Sequence, residues 1–165
     1  MLGQWFDYSE QELDLFFLDE KLGYIRFKHE EDQCFWKFIT KLKSEINIER
    51  PQKLFKNVEK VFKWLDNTFL RINTEIDFEY EVLATDFEKA VYKELQNVKI
   101  GEIITYKSLA EKINCNSARA IGNCMNKNPL PIIIPCHRVI GSNGHLVGFR
   151  GGLDYKRKLL SLEKK

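Results

Sequence analysis

Residues 128–139 read Asn128-Pro129-Leu130-Pro131-Ile132-Ile133-Ile134-Pro135-Cys136-His137-Arg138-Val139. Ile132, Ile133 and Ile134 form a short apolar run that reads as a buried strand. A thiol, an imidazole and a guanidinium follow side by side, and Val139 and Ile140 resume the apolar run. A free thiol ionises near about pH 8.5, and only its thiolate is a strong nucleophile. A neighbouring His can take the proton, and nearby positive charge favours the thiolate. Adjacent residues of an extended strand face opposite ways, so Cys136 and His137 meet only if the chain bends there. Pro135, with Pro129 and Pro131 upstream, fits an irregular backbone. From adjacency alone, the plainer reading is a buried structural Cys beside a hydrogen-bonded His, because free Cys is usually buried.

Upstream, Thr85-Asp86-Phe87-Glu88 has the Ser/Thr-x-x-Glu form of a capping box. It predicts a helix to about Asn97 with Phe87, Val91 and Leu95 inward. Ile100-Gly101-Glu102 reads as a turn. A short helix over 107–113 follows, then the polar turn Asn114-Cys115-Asn116, then a helix capped by Ser117 and running to about Lys127. Two short helices about a tight turn make a helix-turn-helix pattern. The second carries Arg119 near its start, among the small residues Ala118, Ala120 and Gly122.

Downstream, Ser142-Asn143-Gly144 is a turn signal that predicts a hairpin between 138–141 and 145–149, with His145 exposed at its tip. Gly148-Phe149-Arg150-Gly151-Gly152 is Gly-rich but lacks the Gly-Lys-Ser/Thr ending of a phosphate loop. Residues 153–162 read as a last helix with Leu159, Leu160 and Leu162.

The first half carries no catalytic pattern over residues 1–73. Residues 3–8, 13–18 and 22–27 read as a small antiparallel meander. An amphipathic helix is expected over 30–46. A second follows Pro51 with Leu54, Val58, Val61, Phe62, Leu65 and Phe69 inward. Residues 73–84 alternate (Ile76, Phe78, Tyr80, Val82) and read as an ordered strand or linker holding a domain boundary. The expected division is a structural domain over 1–80 and a working domain over 81–165. The fold class is α+β: a small N-terminal antiparallel sheet with helices, then a mostly helical domain carrying the helix-turn-helix and a short active-site hairpin.

The 12 Phe, 6 Tyr and 3 Trp among 165 residues supply a substantial core. Its four cysteines (Cys34, Cys115, Cys124, Cys136) lack Cys-x-x-Cys spacing, so a zinc site is unsupported. With no long apolar run and no cleavable leader pattern, no membrane partner is expected and the chain is placed in the cytoplasm, its thiols reduced. The net charge of +2 hides an asymmetry: residues 85–165 hold 14 Lys/Arg against 7 Asp/Glu, and residues 1–84 hold 12 against 17. A basic half beside an acidic half suits a nucleic-acid binder with one working face.

The stretch 128–139, with its Pro-Cys-His-Arg run, resembles the active-site signature of the O6-alkylguanine-DNA alkyltransferases, and similarity extends over about residues 85–163. The resemblance implies a DNA-repair protein that flips O6-alkylguanine out of duplex DNA and transfers the alkyl group irreversibly to Cys136, once per molecule. His137 would take the thiol proton through a water and Glu163 would orient His137. Tyr106 would rotate the flanking phosphate and protonate N3 of the leaving base, and Lys156 would support charge near O6. The family's helix-turn-helix enters the minor groove. That implies DNA contacts from Ser117, Ala118, Arg119 (filling the vacated stack), Ala120, Gly122, Tyr106 and Arg138, with Asn128 bracing the turn between helix and active site. Met125 would pack on the base, and the carbonyls of Cys136 and Val139 would read its 2-amino group. Residues 148–152 resemble the family's active-site loop, often Gly-Tyr-Arg-Trp-Gly. Phe149 here replaces Tyr and Gly151 replaces Trp, with Arg150 between. The implied partner is double-stranded DNA carrying O6-alkylguanine, with O4-alkylthymine as a second substrate, bound by a monomer without metal or other cofactor. Two other classes stay open: a binding-only protein or regulator of the helix-turn-helix type, whose relatives carry another residue in place of Cys136, and a cysteine hydrolase, which would turn over an acyl ester.

Overall fold

A computed structural model of the protein describes residues 2–29, 35, 47–49, 56–70 and 75–164. They fall into two compact units, Met1–Leu83 and Ala84–Lys165. In the first, β1 (Leu2–Tyr8), β2 (Leu13–Leu18) and β3 (Lys21–Phe27) form the expected antiparallel meander. A short strand, β4 (Asn47–Glu49), extends it by pairing parallel to β1, giving the order β3-β2-β1-β4.

Both faces of this sheet are covered. Trp5, Phe16 and Tyr24 share one face, where Phe35 packs with ring centroids 4.6–5.5 Å away. Phe6, Tyr8 and Phe17 share the other face. There Tyr8 meets Phe62 of α1 (Lys56–Phe69) at 5.2 Å and its hydroxyl bonds Asp66. Apart from Phe35, the helix expected over 30–46 lies outside the described residues. Residues 75–85 form no strand of their own. Leu22 and Tyr80 form one bridge, with backbone bonds from Leu22 to Glu79 and from Glu81 to Leu22.

The second unit opens with α2 (Asp86–Gln96), whose start is set by the predicted capping box: Thr85 Oγ1 accepts from the Glu88 amide and the Glu88 carboxylate from the Thr85 amide. Phe87 is 43% exposed, contrary to expectation. The buried stripe is Glu88, Val91, Tyr92 and Leu95, one position further on. Those residues keep i, i+3, i+4, i+7 spacing, which leaves Phe87 on the flank.

β5 (Ile104–Thr105) leads directly into α3 (Tyr106–Lys112), and α4 (Ala118–Asn126) follows the turn. Asn114 turns the chain with φ of 55°, and Ser117 caps α4 by accepting from the Ala120 amide. This is the expected helix-turn-helix. The unit ends with β6 (Val139–Ile140) and α5 (Gly152–Glu163).

Two local expectations change. Ile132–Ile134 are buried but form a tight turn rather than a strand: the Ile134 amide donates to the Leu130 carbonyl at 2.9 Å, and Ile132 has φ of +77°. A β-branched residue rarely adopts that conformation. The Asn128 side chain holds the turn from both ends, accepting from the Leu130 amide (3.0 Å) and donating to the Ile134 carbonyl (2.9 Å). The hairpin also fails to form as a ladder. The turn at 142–144 closes, with Gly141 donating to the His145 carbonyl, but β6 pairs parallel to β5 and residues 145–149 are not strand. The Lys156 ammonium stands where ladder bonds were expected.

Candidate active site

Pro135 ends the buried turn, and Cys136–Arg138 make one turn of 3-10 helix. This is the bend that adjacent nucleophile and base require. Cys136 is 4% exposed and His137 1%. Cys136 Sγ accepts from Asn128 Nδ2 at 3.1 Å. Burial pushes the thiol pKa up, against that hydrogen bond and the positive charges of Arg150 and Lys156. Burial pushes the His137 pKa down, against the pull of Glu163. The resting pair is therefore a protonated thiol and a neutral imidazole near pH 7.

Glu163, in the last turn of α5, ties the site together. Its Oε1 lies 2.8 Å from His137 Nε2. Arg138 grips the same carboxylate through Nε (3.0 and 3.1 Å) and Nη2 (2.7 Å), and its Nη1 donates to the Val98 carbonyl at 2.6 Å. Burial alone would raise the Glu163 pKa, but the bonds from His137 and Arg138 outweigh it and hold it at about 2. With Nε2 engaged by an ionised carboxylate, the neutral ring carries its proton there and leaves Nδ1 as acceptor. His137 Nδ1 is buried and has no hydrogen-bond partner.

Lys156, on the inner face of α5, is fully buried. Its Nζ donates to the carbonyls of Val139 (2.6 Å), Val147 (2.9 Å) and Gly148 (3.2 Å). Desolvation lowers its pKa to about 8. The Tyr106 hydroxyl also donates to the Val147 carbonyl, at 3.3 Å, and burial raises its pKa. A cavity of about 510 Å³ opens beside Glu163, but Ile103, Ile140, Leu146 and Leu160 line it and Cys136 does not.

The arrangement is a buried thiol with a neutral acceptor imidazole and an ionised orienting carboxylate, fed by a helix-turn-helix. A family model described as the DNA-binding domain of 6-O-methylguanine DNA methyltransferase matches residues 86–165. A methylated-DNA–protein-cysteine methyltransferase of Methanosarcina acetivorans is 37% identical over 131 residues, 77% of this chain and 84% of that one. The chain belongs to the methylated-DNA–protein-cysteine methyltransferase family. A Metallosphaera sedula relative of the same name is 45% identical over 104 residues, 62% of this chain, and the match spans only 65% of that protein's length. The crystal structure of Mycobacterium tuberculosis OGT in complex with DNA superposes with a TM-score of 0.75 at 29% identity, covering 99% of this chain and 93% of that one.

The residues matched to methyltransferase motifs fall in three places. Cys136, His137, Glu163, Asn128, Val139, Lys156 and Tyr106 converge as described. Ser117, Ala118 and Arg119 are exposed at the start of α4, with Ala120 and Gly122 half-buried behind them and Met125 buried near its end. Phe149 and Arg150 are half-buried in the loop before α5.

Two of the expected site residues make inward contacts that the sequence does not announce. Arg138, expected at the DNA face, is 9% exposed with its guanidinium turned inward onto Glu163 and Val98, because the 3-10 turn carries His137 and Arg138 to one carboxylate. Lys156 has all three ammonium protons on backbone carbonyls. The carbonyls expected to read the base are also partly engaged: that of Val139 by Lys156 and that of Cys136 by the Val139 amide. Each keeps a second lone pair.

Two contacts were not anticipated from the sequence. Asn128 reaches the sulfur itself. Tyr92 donates from its hydroxyl to the Cys124 carbonyl at 2.9 Å, tying α2 to the end of α4. The spacing of Tyr92 from Glu88, Val91 and Leu95 was the signal for its burial; nothing in the sequence marks the thiol as Asn128's partner.

Proposed function

We propose that the protein is a single-turnover DNA-repair methyltransferase that accepts the alkyl group of O6-alkylguanine on Cys136. Cys136 Sγ attacks the alkyl carbon, the S–C bond forms and the C–O6 bond breaks. The thiol proton passes, through a water, to Nδ1 of His137, and the leaving guanine regains a proton at N3 from Tyr106. The observation that carries this reading is the His137–Glu163 pair: it fixes the imidazole so that its one free nitrogen is an acceptor. A buried, protonated thiol is a poor nucleophile, so a local base is required, and the neutral imidazole is available for it.

O6 lies within the duplex, and a thiol 4% exposed cannot reach it without extrusion of the nucleotide. Arg119 is exposed at the N-terminal end of α4, the position from which it would occupy the emptied stack. Small Ala118, Ala120 and Gly122 let that helix approach the groove closely. The thioether product is inert, so the reaction stops after one equivalent. O4-alkylthymine would present a similar electrophilic carbon.

The test is a pair of substitutions. Cys136→Ser should bind lesion-containing duplex and transfer nothing. Arg119→Ala should slow transfer from duplex far more than from the free alkylated base. Equal slowing of both substrates would remove Arg119 from base extrusion, and residual alkylation of Cys136→Ser would remove the thiol from the chemistry.

A further inference from the structure

Lys156 is a fully buried cation whose three partners are all neutral carbonyls, one from β6 and two from the loop before α5. Burying an ammonium is costly, and a methionine of similar length would fill the space without that cost. Its three bonds do one geometric thing: they tie the Val147–Gly148 peptides to Val139, three residues after the nucleophile. Backbone pairing would ordinarily do this, but here the ladder beyond the 142–144 turn is missing. One carbonyl, that of Val147, receives both the ammonium at 2.9 Å and the Tyr106 hydroxyl at 3.3 Å. Gly148 has φ of +43°, and a Cβ there would stand 4.0 Å from the Tyr106 oxygen, so loop and tyrosine lie close together.

We propose that Lys156 is a positioning residue that staples the loop 147–148 to the nucleophile strand, and so lets the Tyr106 hydroxyl leave Val147 for the substrate. Because the ammonium keeps Val147's carbonyl satisfied, Tyr106 can transfer its donor to the base without leaving a buried acceptor empty. The tyrosine's idle bond is the longer of the two, and it is the one that breaks. The inference rests on the alkyl-transfer reading for the role of Tyr106. The staple itself does not.

The experiment compares wild type with Lys156→Met and Lys156→Arg, each checked for native helix content by circular dichroism. Hydrogen–deuterium exchange without substrate follows the peptide covering 145–150. Saturation kinetics with free O6-benzylguanine separate half-saturation from the maximal rate of Cys136 alkylation. Losing one charge-assisted bond is worth roughly tenfold or more in a local equilibrium. Lys156→Met should therefore exchange about tenfold faster or more across 145–150 and raise half-saturation at least as much. Lys156→Arg, which keeps donors for the carbonyls, should restore most of the protection. Unchanged loop exchange in Lys156→Met would overturn the staple, and a slower alkylation with that unchanged loop would assign Lys156 to the leaving group directly. Wild type that fails to alkylate would sink the transfer reading alone, since the exchange arm uses no substrate.

Discussion

Replacing Glu163 with Gln tests the electrostatic centre of the site. The structure holds the Glu163 pKa at about 2 against an ordinary 4.5. Its side chain is 14% exposed, so solvent screening is limited. Because the folded value is depressed, the unfolded chain binds the proton first. The contribution is full above about 4.5, falls as acid is added, and is gone below about 2. The difference corresponds to about 3 kcal/mol at pH 7. Breaking a buried pair from one side costs about 3–5 kcal/mol, so two routes give one magnitude. At a urea slope of about 2 kcal/mol per M, Glu163→Gln should lower the unfolding midpoint by about 1.5 M at pH 7. Residues 84–165 hold no tryptophan, so far-UV circular dichroism, which reads the helices of the second unit, follows the transition. The gap between variant and wild type should narrow steadily from pH 5 to pH 3. An equal gap across that range, or no gap at pH 7, would refute the assignment of an ionised carboxylate clamped by Arg138.

Three further outcomes follow from the same geometry. Burial lowers the His137 pKa from 6.5, so the alkylation rate should stay level as pH falls from 7 through 6.5 and drop only in stronger acid; a half-drop at 6.5, read by rapid quench, would contradict this. Asn128→Ala strips hydrogen bonds from the Cys136 sulfur, the Ile134 carbonyl and the Leu130 amide, and should cost about 2–4 kcal/mol in urea unfolding while slowing transfer. Thr85→Ala removes one arm of the capping box and should cost about 1 kcal/mol, with the alkylation rate of the folded protein unchanged.

Local signals were readable where the cause is local. Thr85 and Glu88 announce the start of α2, and Ser117 caps α4 as its sequence suggests. The meander is written in short apolar and aromatic runs over 3–8, 13–18 and 22–27, split by the polar turn at 19–21. The candidate site residues Cys136, His137 and Glu163 could be named from the motif, and their convergence rests on a 3-10 turn that Pro135 made plausible. What stayed hidden depends on distant partners. Arg138 follows His137, and only the turn decides that both meet Glu163 25 and 26 residues on. Lys156 replaces a ladder with a side chain, which no alternation pattern records, so the hairpin was expected and a staple was found. Ile132 adopts a positive φ that its β-branched side chain argues against, under constraint from Asn128. β4 joins β1 across about forty residues of chain, beyond the reach of any local signal.

The most direct test of the central claim is the intact mass of the protein after mixing with duplex DNA containing O6-methylguanine. A gain of one methyl group, mapped to Cys136 by peptide analysis and saturating at one equivalent, is the predicted result. Tight binding to the same duplex with no change in mass would contradict alkyl transfer and leave the buried thiol a structural residue in a DNA-binding protein.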